Sequence, residues 1–216
     1  MKILIVQDYL RSGGTERQSV FMATAFAKAG HEITLLTFRP RGALELDAEQ
    51  QPFADNSFDL ITVSSGVHWF DIDKFLAEAN RLLKSKSLLV LYENHFIAEM
   101  IGNDSFTNWF SNVYLKKFPS PPRNNDYSWT NENLSSKNFN FVKEERFKNS
   151  ITLSKKQLAL YFTTQSNVIA AVEKNQVTYG QVENWLDQEL ASFFDNDDAT
   201  QTINYGNWIK FIQRAN

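Results

Sequence analysis

The chain opens on an unbroken apolar run, KILIVQ at 2–7, which predicts a short strand buried on both faces. After the loop DYLRSGGTERQ, the apolar residues Val20, Phe21, Ala23, Phe26 and Ala27 recur at helical spacing, and Gly30 supplies a helix stop. HEITLLTF at 31–38 predicts a second strand. Residues 2–38 therefore read as strand, glycine loop, helix and strand, the opening of a nucleotide-binding α/β fold.

The pattern then breaks. RPRGA at 39–43 is the only connection before LELDAEQQPF, and a parallel crossover needs about a dozen residues or more. A strand at Leu44–Leu46 would have to be short and antiparallel, or lie at an edge, so a helix and most of a strand are missing from the expected order. Order returns with FDLITVS at 58–64 as a strand and DIDKFLAEANRLLK at 71–84 as a helix, with Phe75, Leu76, Ala79, Leu82 and Leu83 on its apolar face. SLLVLYE at 87–93 predicts the next strand. Residues 94–135 are rich in Asn, Ser, Pro and aromatics, and 118–136 reads as loop. Beyond it, 139–149 alternates like a strand. Helices are predicted at 154–165 and 166–175, each opening on a serine N-cap, and at 179–194, with a closing strand at 202–214.

Composition narrows the class. At 216 residues with 43% hydrophobic and 14% aromatic content, the chain can bury a sizeable core. A net charge of −3, from 22 basic and 25 acidic residues, leaves no electrostatic footprint for nucleic acid or for a membrane surface. No cysteine is present, which excludes disulfides, thiolate metal sites and cysteine nucleophiles. Asp8 and Arg11 interrupt the first apolar run too early for a signal peptide, and no segment approaches the roughly 20 apolar residues of a membrane span. These features predict a soluble cytoplasmic protein. His31, His68 and His95 are too widely spread to give metal-site spacing.

Two resemblances follow from the quoted stretches. DAEQQPFADNSFDLITVSSGVHWFD, FLAEANRLLKSKSLLVLYE and the tail ITLSKKQLALYFTTQSNV resemble class I S-adenosylmethionine-dependent methyltransferases over about residues 44–216. MKILIVQDYLRSGGTERQSVFMATAFAKAGHEITLLTF resembles the start of a GT-B glycosyltransferase over 1–43, so the chain looks chimeric, with a junction near 39–46. The methyltransferase resemblance implies a single Rossmann-like α/β/α domain over 1–216, mostly parallel with a C-terminal antiparallel strand, its N-terminal part substituted and shortened. It also implies an acceptor lid at 94–135. The implied reaction is methyl transfer from S-adenosylmethionine to a small-molecule acceptor. Alternatives are a non-catalytic remnant or binding domain, and a sugar-nucleotide-binding protein.

The same resemblance assigns roles residue by residue. Asp47 stands where the family accepts a hydrogen bond from the adenine amino group, with the Ala48 backbone beside it, and a turn carboxylate is the structural alternative. Ser64, Ser65 and Gly66 are small enough to let backbone approach the methionine end of the cofactor, or simply to pack closely at a strand end. His68 is a candidate general base or a pocket-lining ring, and Trp69 packs on the cofactor or seals the pocket. Gly13 and Gly14 open a helix and offer backbone N–H groups to an anion, or form a structural loop. The family's GxGxG loop and the ribose-binding acid after its second strand have no counterpart here, which predicts impaired activity. The aromatics of 94–135, among them Phe106, Trp109, Phe110 and Tyr114, fit either an acceptor lid or a satellite core.

Overall fold

The computed structural model describes residues 1–7, 14–37, 53–120, 127–196 and 198–216, with 14–18, Thr37 and Trp69 described by their backbone. The connection at 39–43, the possible strand at Leu44–Leu46 and the junction near 39–46 lie outside these residues. Among the described residues six strands form one sheet in the order β2-β1-β3-β4-β6-β5: β1 Lys2–Gln7, β2 Glu32–Thr37, β3 Phe58–Ser64, β4 Leu83–Met100, β5 Phe139–Ser154 and β6 Thr200–Arg214. β1 runs parallel to both β2 and β3, and β3 runs parallel to β4.

β6 is the antiparallel member, as its side-chain contacts show. Trp208 Nε1 reaches Glu93 at 3.1 Å, whereas Gln213, further along β6, reaches back to the carbonyl of Lys86 at 3.0 Å. Against β5 the order reverses in the same way: Lys210 pairs with Glu144 at 2.7 Å, Ser150 with Asn204 at 2.6 Å, and Thr152 with Thr202 at 3.0 Å. β6 thus separates two strands that share a direction.

Helix α1 (Gly14–Lys28) follows β1, and α2 (Ile72–Leu82) follows β3. Asp71 caps α2 by accepting from the Lys74 N–H at 3.2 Å, and Phe75, Leu76, Ala79 and Leu82 are buried along it as the spacing predicts, joined by Ile72; Leu83, expected on the same stripe, has extended backbone and opens β4. α1 departs from expectation. Val20 and Phe21 are 45% and 72% exposed, while Ser19 is fully buried, so the inward stripe is set by Ser19 and not by the apolar pair beside it.

The chain divides into two compact units, Met1–Asn94 with Arg123–Arg146 and Asn207–Asn216, and His95–Pro122 with Phe147–Gly206; β4, β5 and β6 each give residues to both. In the first unit α2 packs on one face of the sheet, against Leu4, Val6, Ile61, Val63, Leu89 and Leu91. In the second, the segment expected to be loop-rich is mostly ordered structure. β4 continues to Met100, then α3 (Ser105–Trp109), a π-helical turn (Phe110–Tyr114) and α4 (Leu115–Lys117) follow without a break; α5 (Asn131–Ser135), in the first unit, also falls inside the expected loop. The aromatics of 106–118 recur at helical spacing with Asn and Ser on the outer positions, and that periodicity outweighs the loop-like composition.

Phe106, Trp109, Tyr114 and Phe118 are at most 6% exposed and pack on Phe162 of α6 (Lys155–Thr163) and on α8 (Tyr179–Leu190), so they are the core of this unit. Burial raises the Tyr114 hydroxyl pKa well above its ordinary value, and Asn167 gives that hydroxyl its partner at 3.2 Å. Helix α7 (Ser166–Glu173) begins one residue earlier than expected: its N-cap is Gln165, which makes no side-chain cap, and Ser166 is already helical. Gly206 on β6 lies against His95 on β4, where a Cβ would stand 2.5 Å from the imidazole Nε2.

Candidate functional site at the strand ends

The parallel ladders bring the ends of β1 and β3 into line with Tyr92, midway along β4. Gln7 of β1 pairs in register with Ser64 of β3, and Ser64 pairs in register with Tyr92 of β4. Residues in register share a face of the sheet, so Gln7, Ser64 and Tyr92 point together toward α1, with Thr62 two residues earlier on the same side. The opposite face at this level is the apolar one covered by α2.

Beyond Ser64 the chain turns sharply. Ser65 has φ +49°, a left-handed conformation uncommon for a side-chain-bearing residue, and its N–H donates to the Tyr92 carbonyl at 2.9 Å. Gly66 is buried and leads into a 3-10 turn, Val67–Trp69, which holds His68 half-buried. Phe70 closes the turn through its N–H to the Val67 carbonyl at 3.2 Å and packs on Phe75 of α2, with ring centroids 5.0 Å apart. The turn is therefore tethered to both β4 and α2, which fixes the backbone that follows β3.

The described part of this region is polar but uncharged on the α1 face. Ser19 Oγ donates to Gln7 Oε1 at 2.5 Å, and both groups are buried. Thr62 Oγ1, Ser64 Oγ, Ser65 Oγ, Tyr92 OH and Asn94 Oδ1 are buried without a hydrogen-bond partner among the described residues. Burial raises the Tyr92 pKa, and the neighbouring Ser64, Ser19 and Thr62 hydroxyls oppose that shift. On the adjoining strand position, Glu93 accepts from Trp208 Nε1 at 3.1 Å.

Of the residues assigned from sequence, Ser64, Ser65, Gly66 and His68 come together at this end of the sheet, with the Trp69 backbone in the same turn. Gly14 is the first residue of α1. Gly13, Asp47 and Ala48 lie outside the described residues. The Ser64 side chain is 1% exposed and faces α1, so it offers its backbone, not its hydroxyl, to anything bound beyond the strand end. Gln7, Ser19 and Tyr92 were not singled out by sequence. Their one signal is that Gln7 ends an apolar run and Tyr92 lies next to the end of another. No group of three or more His, Cys, Asp or Glu among the described residues could hold a metal ion.

This topology, a mostly parallel six-stranded sheet with one antiparallel strand and helices around it, is Rossmann-like and of the class I methyltransferase type. A protein from Anaeromyxobacter dehalogenans described as a type II methyltransferase shares the fold, with a TM-score of 0.61 at 12% identity over 98% of this chain and 89% of that one. In sequence, residues 16–91 match the family model described as methyltransferase domain. The match begins within α1, ahead of the expected junction near 39–46. A Rickettsia prowazekii (strain Madrid E) protein named as a methyltransferase is 35% identical over 77 residues, 35% of this chain and 31% of that protein. The ubiquinone/menaquinone biosynthesis C-methyltransferase UbiE of the same organism is 35% identical over 82 residues, 38% of this chain and 33% of its own length. The matched stretch thus spans about a third of either relative. No helix among the described residues is long and apolar enough to cross a membrane.

Proposed function

We propose that the chain binds S-adenosylmethionine across the carboxyl ends of β1 and β3, beside the stretch of β4 at Tyr92, and transfers its methyl group to a small-molecule acceptor. The observation that carries this reading is the register aligning Gln7, Ser64 and Tyr92 at one end of a parallel sheet, followed at once by the tethered turn Ser65–Gly66. Ligands of open α/β sheets bind at that end. When bound, the cofactor supplies an activated methyl on sulfur. The protein's part is to hold it, align an acceptor oxygen, nitrogen or carbon, and keep water out.

In this reading the backbone of Ser64, Ser65 and Gly66 lies against the amino-acid end of the cofactor, Asp47 accepts from the adenine amino group beside the Ala48 backbone, and Gly13 and Gly14 face the anionic tail. Trp69 seals the pocket, and His68, in the turn next to Gly66, is the candidate base. The family's glycine loop and ribose acid are missing from the sequence. Each lost hydrogen bond to a charged or polar group removes about 1–3 kcal/mol, so the grip on cofactor is weakened and turnover is slow.

The test is a calorimetric titration of the protein with S-adenosylhomocysteine, repeated on Asp47→Ala. Saturable binding that weakens in the variant supports the assignment. A folded protein that evolves no heat at high ligand concentration removes it.

A further inference from the structure

The hydroxyl groups beneath α1 form a set that the proposed cofactor site does not use. They come from three elements of one compact unit: Ser19 from α1, Thr62 and Ser64 from β3, and Tyr92 from β4. Thr62 and Ser64 are 5% and 1% exposed, and Ser19 is fully buried. Ser19 is satisfied by Gln7, but Thr62 Oγ1, Ser64 Oγ and Tyr92 OH have no partner among the described residues. A buried polar atom left this way is destabilising, so three together on one face require compensation.

The three also stand on one face of two adjoining strands. Ser64 and Tyr92 pair in register, Thr62 stands two residues before Ser64 on the same face, and the hydroxyls of Thr62, Ser64 and Tyr92 are buried with no partner among the described residues. Buried polar groups that share a face and lack a direct partner are placed as they would be around a bridging water. A buried water makes about three hydrogen bonds to otherwise unsatisfied groups, and Thr62, Ser64 and Tyr92 are three such groups. The set carries no charge, so it suits a neutral ligand. The other face of the same strands is lined by Leu4, Val6, Ile61 and Val63 and offers no polar atom of this kind.

We propose that Thr62, Ser64 and Tyr92 bind a structural water that joins β3 to β4 under α1, with the Ser19–Gln7 pair closing the site. This water forms the floor beneath the strand ends. Tyr92 thereby holds the turn from two sides, its carbonyl accepting from Ser65 N–H and its hydroxyl anchoring the water. Nothing in the proposal depends on which ligand the strand ends bind.

Two measurements test it together: a crystal structure of the unliganded protein at a resolution that orders water, and thermal melts of Thr62→Val and Tyr92→Phe. Each variant keeps most of the side-chain shape and removes one hydroxyl. With the water in place, density appears between the three oxygens, and each variant melts about 2–4 °C lower because the water loses a partner. If the region is dry, deleting an unpaired buried hydroxyl leaves the melting temperature unchanged or raises it. Either that result in both variants or a lack of density between the hydroxyls overturns the proposal.

Discussion

Gly206 shows how a single missing Cβ admits a ring. The His95 imidazole occupies the space a side chain at 206 would fill, with Nε2 2.5 Å and Cε1 2.7 Å from the hypothetical Cβ, and Ile97 Cγ2 at 2.9 Å leaves little room for it to retreat. Gly206→Ala should therefore destabilise the protein by about 1–3 kcal/mol through overpacking, read by denaturant unfolding. Adding His95→Ala to that variant should recover part of the loss by removing the ring. Were Gly206→Ala as stable as the parent, the close approach would have no energetic weight. Gly206 carries no mark in the sequence, because the close approach depends on which residue of β4 faces it.

At the scale of elements, the helix N-termini give a graded comparison. Ser154 caps α6 and Thr178 caps α8, each in a reciprocal capping box with the glutamine three residues on. Ser166, which looks the same in sequence, is already inside α7 and caps nothing. Ser154→Ala and Thr178→Ala should each cost about 1 kcal/mol, whereas Ser166→Ala should change stability little, as thermal melts of the three variants would report. A loss at Ser166 equal to the others would contradict the cap assignment.

These elements also show what the sequence reveals. β1, β3 and α2 follow from uninterrupted apolar runs or clear helical stripes, and they appear within a residue or two of the expected ranges. β4 and β5 are longer than expected, because their ends are held by pairing with β6 and not by their own alternation. The helices of 105–117 were hidden by loop-like composition. At the site, the turn Ser64–Gly66 and His68 were legible from their position after a strand. The hydroxyl set was not, since which face Thr62, Ser64 and Tyr92 share is decided by strand register across distant segments.

The whole molecule should lose stability at both ends of the pH scale. Asp59 is held below its ordinary carboxylate pKa chiefly by Lys84 and the Lys2 N–H, Glu144 chiefly by Lys210, and Glu99 chiefly by Lys148. A lowered folded pKa gives stability that is complete above the unfolded value of about 4 and is lost as pH falls through the lowered one. Tyr161 and Tyr114 are raised by burial, as is Tyr205, to about 12. Their contribution is complete below the unfolded value of about 10 and disappears as pH rises through the raised values. Melting temperature against pH should thus show a plateau across neutrality with an acid limb and an alkaline limb. Glu144→Gln should flatten the acid limb; an unchanged limb would show that its ion pair adds no net stability.

β6 has a further meaning during synthesis. Among the described strands it is the last to be synthesised, yet its place is between β4 and β5, which emerge earlier. Until Thr200–Arg214 is available, both neighbours wait with open edges of unpaired amides and carbonyls, and pairing across such sequence separation is slow. A nascent chain halted at Ala199 should be held by chaperones or aggregate, although it already contains every residue proposed to bind cofactor. The sheet is therefore closed only after every other described strand has been made.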